Sequence, residues 1–115
     1  MGHYHDVSMS TAEATKELRE LIPDTYSAFR DLHRAALTEG ALSPAVKEMM
    51  AVAIAVSDRC NGCIAAHARG AARHGATQEQ SAEMLSVTIL MNGGPGTVYA
   101  PKAWEAFKEF KERYA

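Results

Sequence analysis

Residues 49–56 read Met-Met-Ala-Val-Ala-Ile-Ala-Val, eight apolar side chains in succession. On an α-helical period such a run places apolar groups at every angle around the axis, so the segment has to be covered on all sides by other elements. Ser43-Pro44 lies just upstream and marks a helix start, because proline is pre-set for the first helical position and its missing N–H is not needed there. A buried central helix with others laid around it is therefore the frame into which the rest of the chain must fit. The chain has 115 residues, the size of one domain. We expect a single domain over 1–115, with residues 1–9 a flexible N-terminus.

The remaining segments carry the same period. No stretch alternates apolar and polar residues long enough to argue a strand, so the expected fold is all-α, a compact bundle of about six helices. Ser10 and Glu13 have the form of a capping box ahead of a helix over about 11–22, which Pro23 stops. Asp24 can cap a second helix in which Tyr26, Phe29, Leu32, His33, Ala36 and Leu37 trace one face up to Gly40. After the central helix, a break at 57–61 leads into a helix that closes at His74-Gly75, and Thr77 with Gln80 forms a second capping-box pattern before the next. Asn92-Gly-Gly-Pro-Gly96 is the strongest loop signal. Beyond it, Tyr99, Ala103, Trp104, Phe107, Phe110 and Tyr114 share a stripe of a last helix over about 97–114, which Pro101 either kinks or starts. Six short helices bury a modest core, so a homo-oligomer is expected. The aromatic stripe either forms its contact surface or closes the monomer core.

Charge narrows the partners. Twelve Lys and Arg against fourteen Asp and Glu give a net charge of −2, which supplies no sequence-wide basic field for nucleic acid or an anionic membrane. The uncharged stretch 84–100 is interrupted by Ser, Thr, Asn, Gly and Pro, and no transmembrane helix is expected. The first ten residues lack the basic and apolar regions of a secretory signal, which points to a cytoplasmic protein.

The chemistry concentrates in Cys60-Asn-Gly-Cys63, His67 and Glu48. At 100° per residue Cys60, Cys63 and His67 project from one edge of a helix that begins near Cys60. Two sulfurs at that spacing can form a reversible disulfide, and the unpaired N–H groups of a helix start stabilise a thiolate, the reactive form. If the central helix and the next run antiparallel about a turn near 58–59, His67 stands level with Met50. Glu48 is then about 3 Å away along the axis, within reach of the imidazole directly or through one water. A carboxylate in a buried helix is costly unless paired or protonated, which marks Glu48 as functional; the alternative is a solvated Glu48 in the first turn beside Lys47. The cysteines have their own alternatives. They could be two small core residues, or zinc ligands with His67 and a group such as Glu48. His74 is about 10 Å further up the helix, too far to complete such a site. Met1-Gly2-His3 could chelate copper or nickel loosely, although His3 and His5 are expected in the flexible end.

Glu48, eleven intervening residues, Cys60-Asn-Gly-Cys63, three more and His67 together resemble the signature of the AhpD-like, carboxymuconolactone decarboxylase family. The resemblance covers about residues 20–112. It implies an all-α fold, trimers or hexamers, and a thiol–disulfide cycle in which Cys63 attacks a hydroperoxide or oxidised partner and Cys60 resolves the product. His67 and Glu48 would form the proton relay. The chain looks like a single-repeat member, and its cysteine pair resembles the redox branch more than the decarboxylase branch. The expected activity is thus a peroxiredoxin-type, antioxidant oxidoreductase that needs no cofactor or metal, only a hydroperoxide or disulfide substrate and an external dithiol reductant. Two alternatives stand beside it: a lactone decarboxylase or isomerase using His67 and Glu48 as acid and base, and a non-enzymatic redox switch or zinc-clipped oligomer.

Overall fold

The apolar run forms the helix that it predicts. In the computed structural model, which describes residues 2–114, Pro44–Ser57 is helical and Ser43 caps it, its hydroxyl accepting from the Val46 N–H at 3.2 Å. The elements are α1 (His3–Met9), α2 (Ala12–Leu21), α3 (Pro23–Leu37), α4 (Pro44–Ser57), α5 (Asn61–Arg73), α6 (Gln78–Asn92) and α7 (Gly94–Arg113), with no strand among the described residues. The core gathers Met49, Val52, Ala55 and Val56 of α4 with Ile64 and the alanines 65, 68, 71 and 72 of α5. Leu85 of α6, Ala100, Ala103, Ala106, Phe107 and Phe110 of α7, Tyr4 of α1 and Ala76 complete it.

Burial of α4 on every side is not realised. Its neighbours α5, α6 and α7 lie on one flank, α3 touches it only sparsely, and Met50 and Ile54 stay 50% and 61% exposed. Those two side chains face a groove of about 430 Å³ shared with Met84, Val87 and Met91 of α6. Helices α2 and α3 bury no residue at all; they pair mainly with each other and leave Leu21, Phe29 and Leu32 exposed. The aromatic stripe of the last helix, by contrast, closes the core of the single chain, since Phe107 and Phe110 are almost fully buried and Tyr99 and Trp104 pack partly against them.

Local signals succeed and fail for physical reasons. Thr77 and Gln80 form the reciprocal capping box, and the helix after the cysteines ends at His74 with Gly75 at φ +91°. Residues 3–9, expected to be flexible, are instead α1. Its first N–H groups are satisfied by a distant carboxylate, Glu109, which accepts from Tyr4 N at 3.0 Å and His5 N at 2.9 Å, and Tyr4 is buried. The Ser10–Glu13 box does not form, because Ser10 donates back to Val7 O of α1 and Thr11 takes the cap position. Pro23 starts α3 rather than merely ending α2, which leaves Asp24 inside the first turn and not at the cap. The glycine-rich segment is no loop: only Gly93, at φ +65°, separates α6 from α7, and Gly94-Pro95-Gly96 already belongs to α7. Gly96 is needed there, since a β-carbon would press on the Ile89 backbone where the two helices cross. Pro101 lies inside α7.

Candidate active site

The site is built on the α4–α5 hairpin. Asp58 ends α4, Arg59 turns the chain at φ +55°, and the Cys60 N–H returns to the Ala55 carbonyl at 3.1 Å. Cys60 then takes the N-cap position of α5 in an extended conformation, with its sulfur accepting from the Cys63 N–H at 3.2 Å. That N–H is one of the unpaired donors of a helix start, so it favours negative charge on the sulfur that it faces. Cys60 and Cys63 are joined as a disulfide. Cys63 is exposed and Cys60 half-buried, which leaves Cys63 the more accessible sulfur.

One turn further along α5, His67 Nδ1 lies 3.0 Å from Glu48 Oε1 of α4. The carboxylate is 6% exposed as a residue, so the imidazole is the partner that makes its burial tolerable. The alternative of a solvated Glu48 in the first turn is thereby overturned: α4 begins at Pro44, so Glu48 lies past its first turn, where the residue is buried. The antiparallel hairpin brings Glu48 and His67 together directly, without an intervening water. Three other histidines stand apart from the pair of cysteines: His74 is the C-cap of α5, His3 stacks edge-on against Tyr4, and His5 sits beside Asp6. Among the described residues no three His, Cys, Asp or Glu side chains converge as a metal site. The proposed Met1-Gly2-His3 chelate includes Met1, outside the described residues.

The sequence profile of the carboxymuconolactone decarboxylase family matches residues 23–106. The chain belongs to the carboxymuconolactone decarboxylase family. An uncharacterized protein of Cupriavidus necator is 48% identical over 85 residues, covering 74% of this chain and 75% of its own. A protein of the cox locus of Paracoccus denitrificans is 36% identical over 105 residues, 90% of this chain and 95% of its own. The crystal structure of a carboxymuconolactone decarboxylase family protein from Legionella pneumophila superposes with a TM-score of 0.89 at 34% identity, covering 94% of this chain and 96% of that one. The all-α architecture is thus that of the carboxymuconolactone decarboxylase family. No helix among the described residues is long and apolar enough to cross a membrane.

Within this family fold, two further residues complete the site. Gly70, one turn beyond His67, lies against Glu48, and a β-carbon there would overlap the carboxylate. The glycine is what allows a buried carboxylate to fit between α4 and α5. His33 of α3 stacks on His67 with ring centroids 5.7 Å apart and planes 19° from parallel. Neither residue carried a sequence signal for this role: Gly70 reads as an ordinary helix glycine, and His33 as one member of a helix face. Around them opens a cavity of about 890 Å³ between α3 and α5, with Glu48, His67 and Gly70 in its wall. At its edge Arg69 Nε donates to the Tyr114 hydroxyl at 3.1 Å, and this bond holds the phenol below its ordinary pKa.

Proposed function

We propose that the protein is a dithiol–disulfide oxidoreductase of alkylhydroperoxidase type. The observation that carries this reading is the Cys60–Cys63 disulfide at the start of α5, one turn ahead of the His67–Glu48 pair. In the reduced enzyme the exposed Cys63 thiolate attacks the terminal oxygen of a hydroperoxide. The O–O bond breaks, Cys63 becomes a sulfenic acid, and the departing alkoxide takes a proton that His67 delivers. Cys60 then attacks the Cys63 sulfur, the S–O bond breaks, water leaves and the disulfide forms. An external dithiol reduces it again by two exchange steps. Glu48 holds the imidazole in place between these steps.

Two features support assembly into a homo-oligomer, a trimer or hexamer: the apolar groove between α4 and α6, and the unburied α2–α3 hairpin. Sedimentation of the purified protein tests this, and a monomer at micromolar concentration refutes it. The activity is tested by counting thiols in reduced protein before and after an alkyl hydroperoxide, with metal determined on the same sample. Loss of both thiols without bound metal is the expected result. Two thiols that survive the peroxide overturn the redox reading.

A second reading rests on the wall of the α3–α5 cavity, which includes His67 and Glu48 but neither cysteine. It is an acid–base lactone enzyme in which His67 moves the proton and the disulfide is structural. Turnover of a carboxylated lactone by a Cys60→Ser/Cys63→Ser variant separates it from the redox cycle.

A further inference from the structure

The chain as a whole is slightly acidic, yet the cavity beside His67 is not. Four of the seven arginines in the sequence line it: Arg30 and Arg34 from α3, Arg69 and Arg73 from α5. Each pair has i,i+4 spacing, which puts both guanidinium groups on one helix face, and like charges so placed destabilise a helix. Two such pairs turned toward one space add a further repulsion. The only carboxylate in the cavity wall among the described residues, Glu48, is already bonded to His67. Arg69 is held by the Tyr114 hydroxyl, and Arg34 lies 3.8 Å from Asp31 on its own exposed helix face. Arg30 and Arg73 have no ion-pair partner among the described residues. All four cations are arginines, the side chain whose planar fork matches a carboxylate.

We infer that this cavity binds a carboxylate carried by the substrate, so that the enzyme acts on small organic disulfides or hydroperoxides bearing a carboxylate group. The binding stands on the cavity alone, whereas the reaction rests on the thiol–disulfide reading. The cavity wall begins at Ala66 and His67, one turn of α5 beyond Cys63, about 6 Å along the axis. Arg73 stands ten residues beyond Cys63, about 15 Å along the axis, so a substrate anchored by its carboxylate between Arg30 and Arg73 has to extend back along α5 past His67 to meet the cysteine pair. For a disulfide substrate, the Cys63 thiolate attacks one sulfur, the substrate S–S bond breaks, and the released thiolate is protonated by His67. Cys60 then displaces the second thiol, so two protein thiols are oxidised and one substrate disulfide is reduced.

The test compares two disulfides against reduced protein, the dianionic dithiodipropionate and the neutral hydroxyethyl disulfide. Each rate is divided by the rate of the same disulfide with dithiothreitol, which removes intrinsic reactivity. The normalised rate is expected to favour dithiodipropionate by about tenfold or more at low salt, the gain typical of a cleft lined by one sign of charge. That ratio should shrink as salt screens the cavity. It should also fall toward one in the Arg30→Gln/Arg73→Gln variant. Equal normalised rates in the wild-type protein, or a ratio indifferent to salt and to the two substitutions, overturn the inference. If neither disulfide oxidises the protein, the redox reading fails, and the anion site is then decided on the disulfide form by calorimetric titration with adipate. Saturation below about 10 mM that is weakened in the double variant supports the site; no saturation in that range refutes it.

Discussion

Replacing Gly70 by alanine should destabilise this protein, against the usual rule for a glycine in mid-helix. In an open site the change adds about 1 kcal/mol of helix propensity. Here the new β-carbon falls on the Glu48 carboxylate, which is buried and bonded to His67 at 3.0 Å. Glu48 has to leave that position, and the loss of a hydrogen bond to a carboxylate costs about 1.5–3 kcal/mol. The two effects together leave a net destabilisation of about 0.5–2 kcal/mol, or about 2–8 °C in Tm for a chain of this size. A double-mutant cycle isolates the cause. In a Glu48→Ala background the obstacle is gone, and Gly70→Ala should then stabilise by about 1 kcal/mol, giving a coupling of about 1.5–3 kcal/mol between the two positions. Urea unfolding of the four proteins under reducing conditions measures it. If Gly70→Ala stabilises both backgrounds equally, the carboxylate does not occupy the space that the glycine leaves, and the geometry of the pair is wrong.

Other perturbations test the site and its scaffold. Cys63→Ser should abolish turnover with hydroperoxide while far-ultraviolet circular dichroism stays unchanged, because the side chain is exposed; undiminished turnover removes Cys63 from the chemistry. Glu48→Gln should slow the peroxide-driven loss of thiols while leaving both thiols to be oxidised, and an unchanged rate removes Glu48 from the relay. Burial raises the pKa of Tyr4 above 10.0, with Glu105 and Glu109 adding to the shift. A raised pKa in the folded state means that the unfolded chain loses its phenol proton first, so stability is full below pH 10 and falls as pH rises through the folded value. Chemical denaturation across that range should show a smaller alkaline loss in Tyr4→Phe; an equal loss shows that Tyr4 does not titrate with unfolding. Ser43→Ala should cost about 1 kcal/mol through loss of the α4 cap, read by the same unfolding assay.

The parts of the fold legible from sequence are those whose determinants are local. The Ser43-Pro44 start, the Thr77–Gln80 box and the Gly75 stop each need only residues within one turn. The Glu48–His67 contact was also legible, because a short turn fixes the register of an antiparallel hairpin, and Arg59 turns the chain where that register requires. What stayed hidden depends on distance. Helix α1 takes its cap from Glu109, about a hundred residues away in sequence, so nothing near residue 4 announces it. The Gly93–Gly96 run reads as a loop until Gly96 is seen beneath Ile89, where its missing side chain serves a helix crossing. The exposed flank of α4 is illegible for the same reason, since an apolar run does not say how many neighbours will cover it. His33 and Gly70 owe their places to what stands opposite them, and position in one helix carries no record of its neighbour.

The alanines that face each other across α5 and α7 also decide where this site can yield. Alanine has no rotamers, so the seam formed by residues 65, 68, 71 and 72 with 100, 103 and 106 cannot absorb a displacement by repacking side chains. Interiors of that density are nearly incompressible and pass strain on undiminished. The backbone of α5 therefore acts as a fixed rail for His67 and Gly70. A movement at Cys60 or Cys63 is then taken up at the Asp58–Cys60 turn and toward α3, a helix that buries none of its own residues.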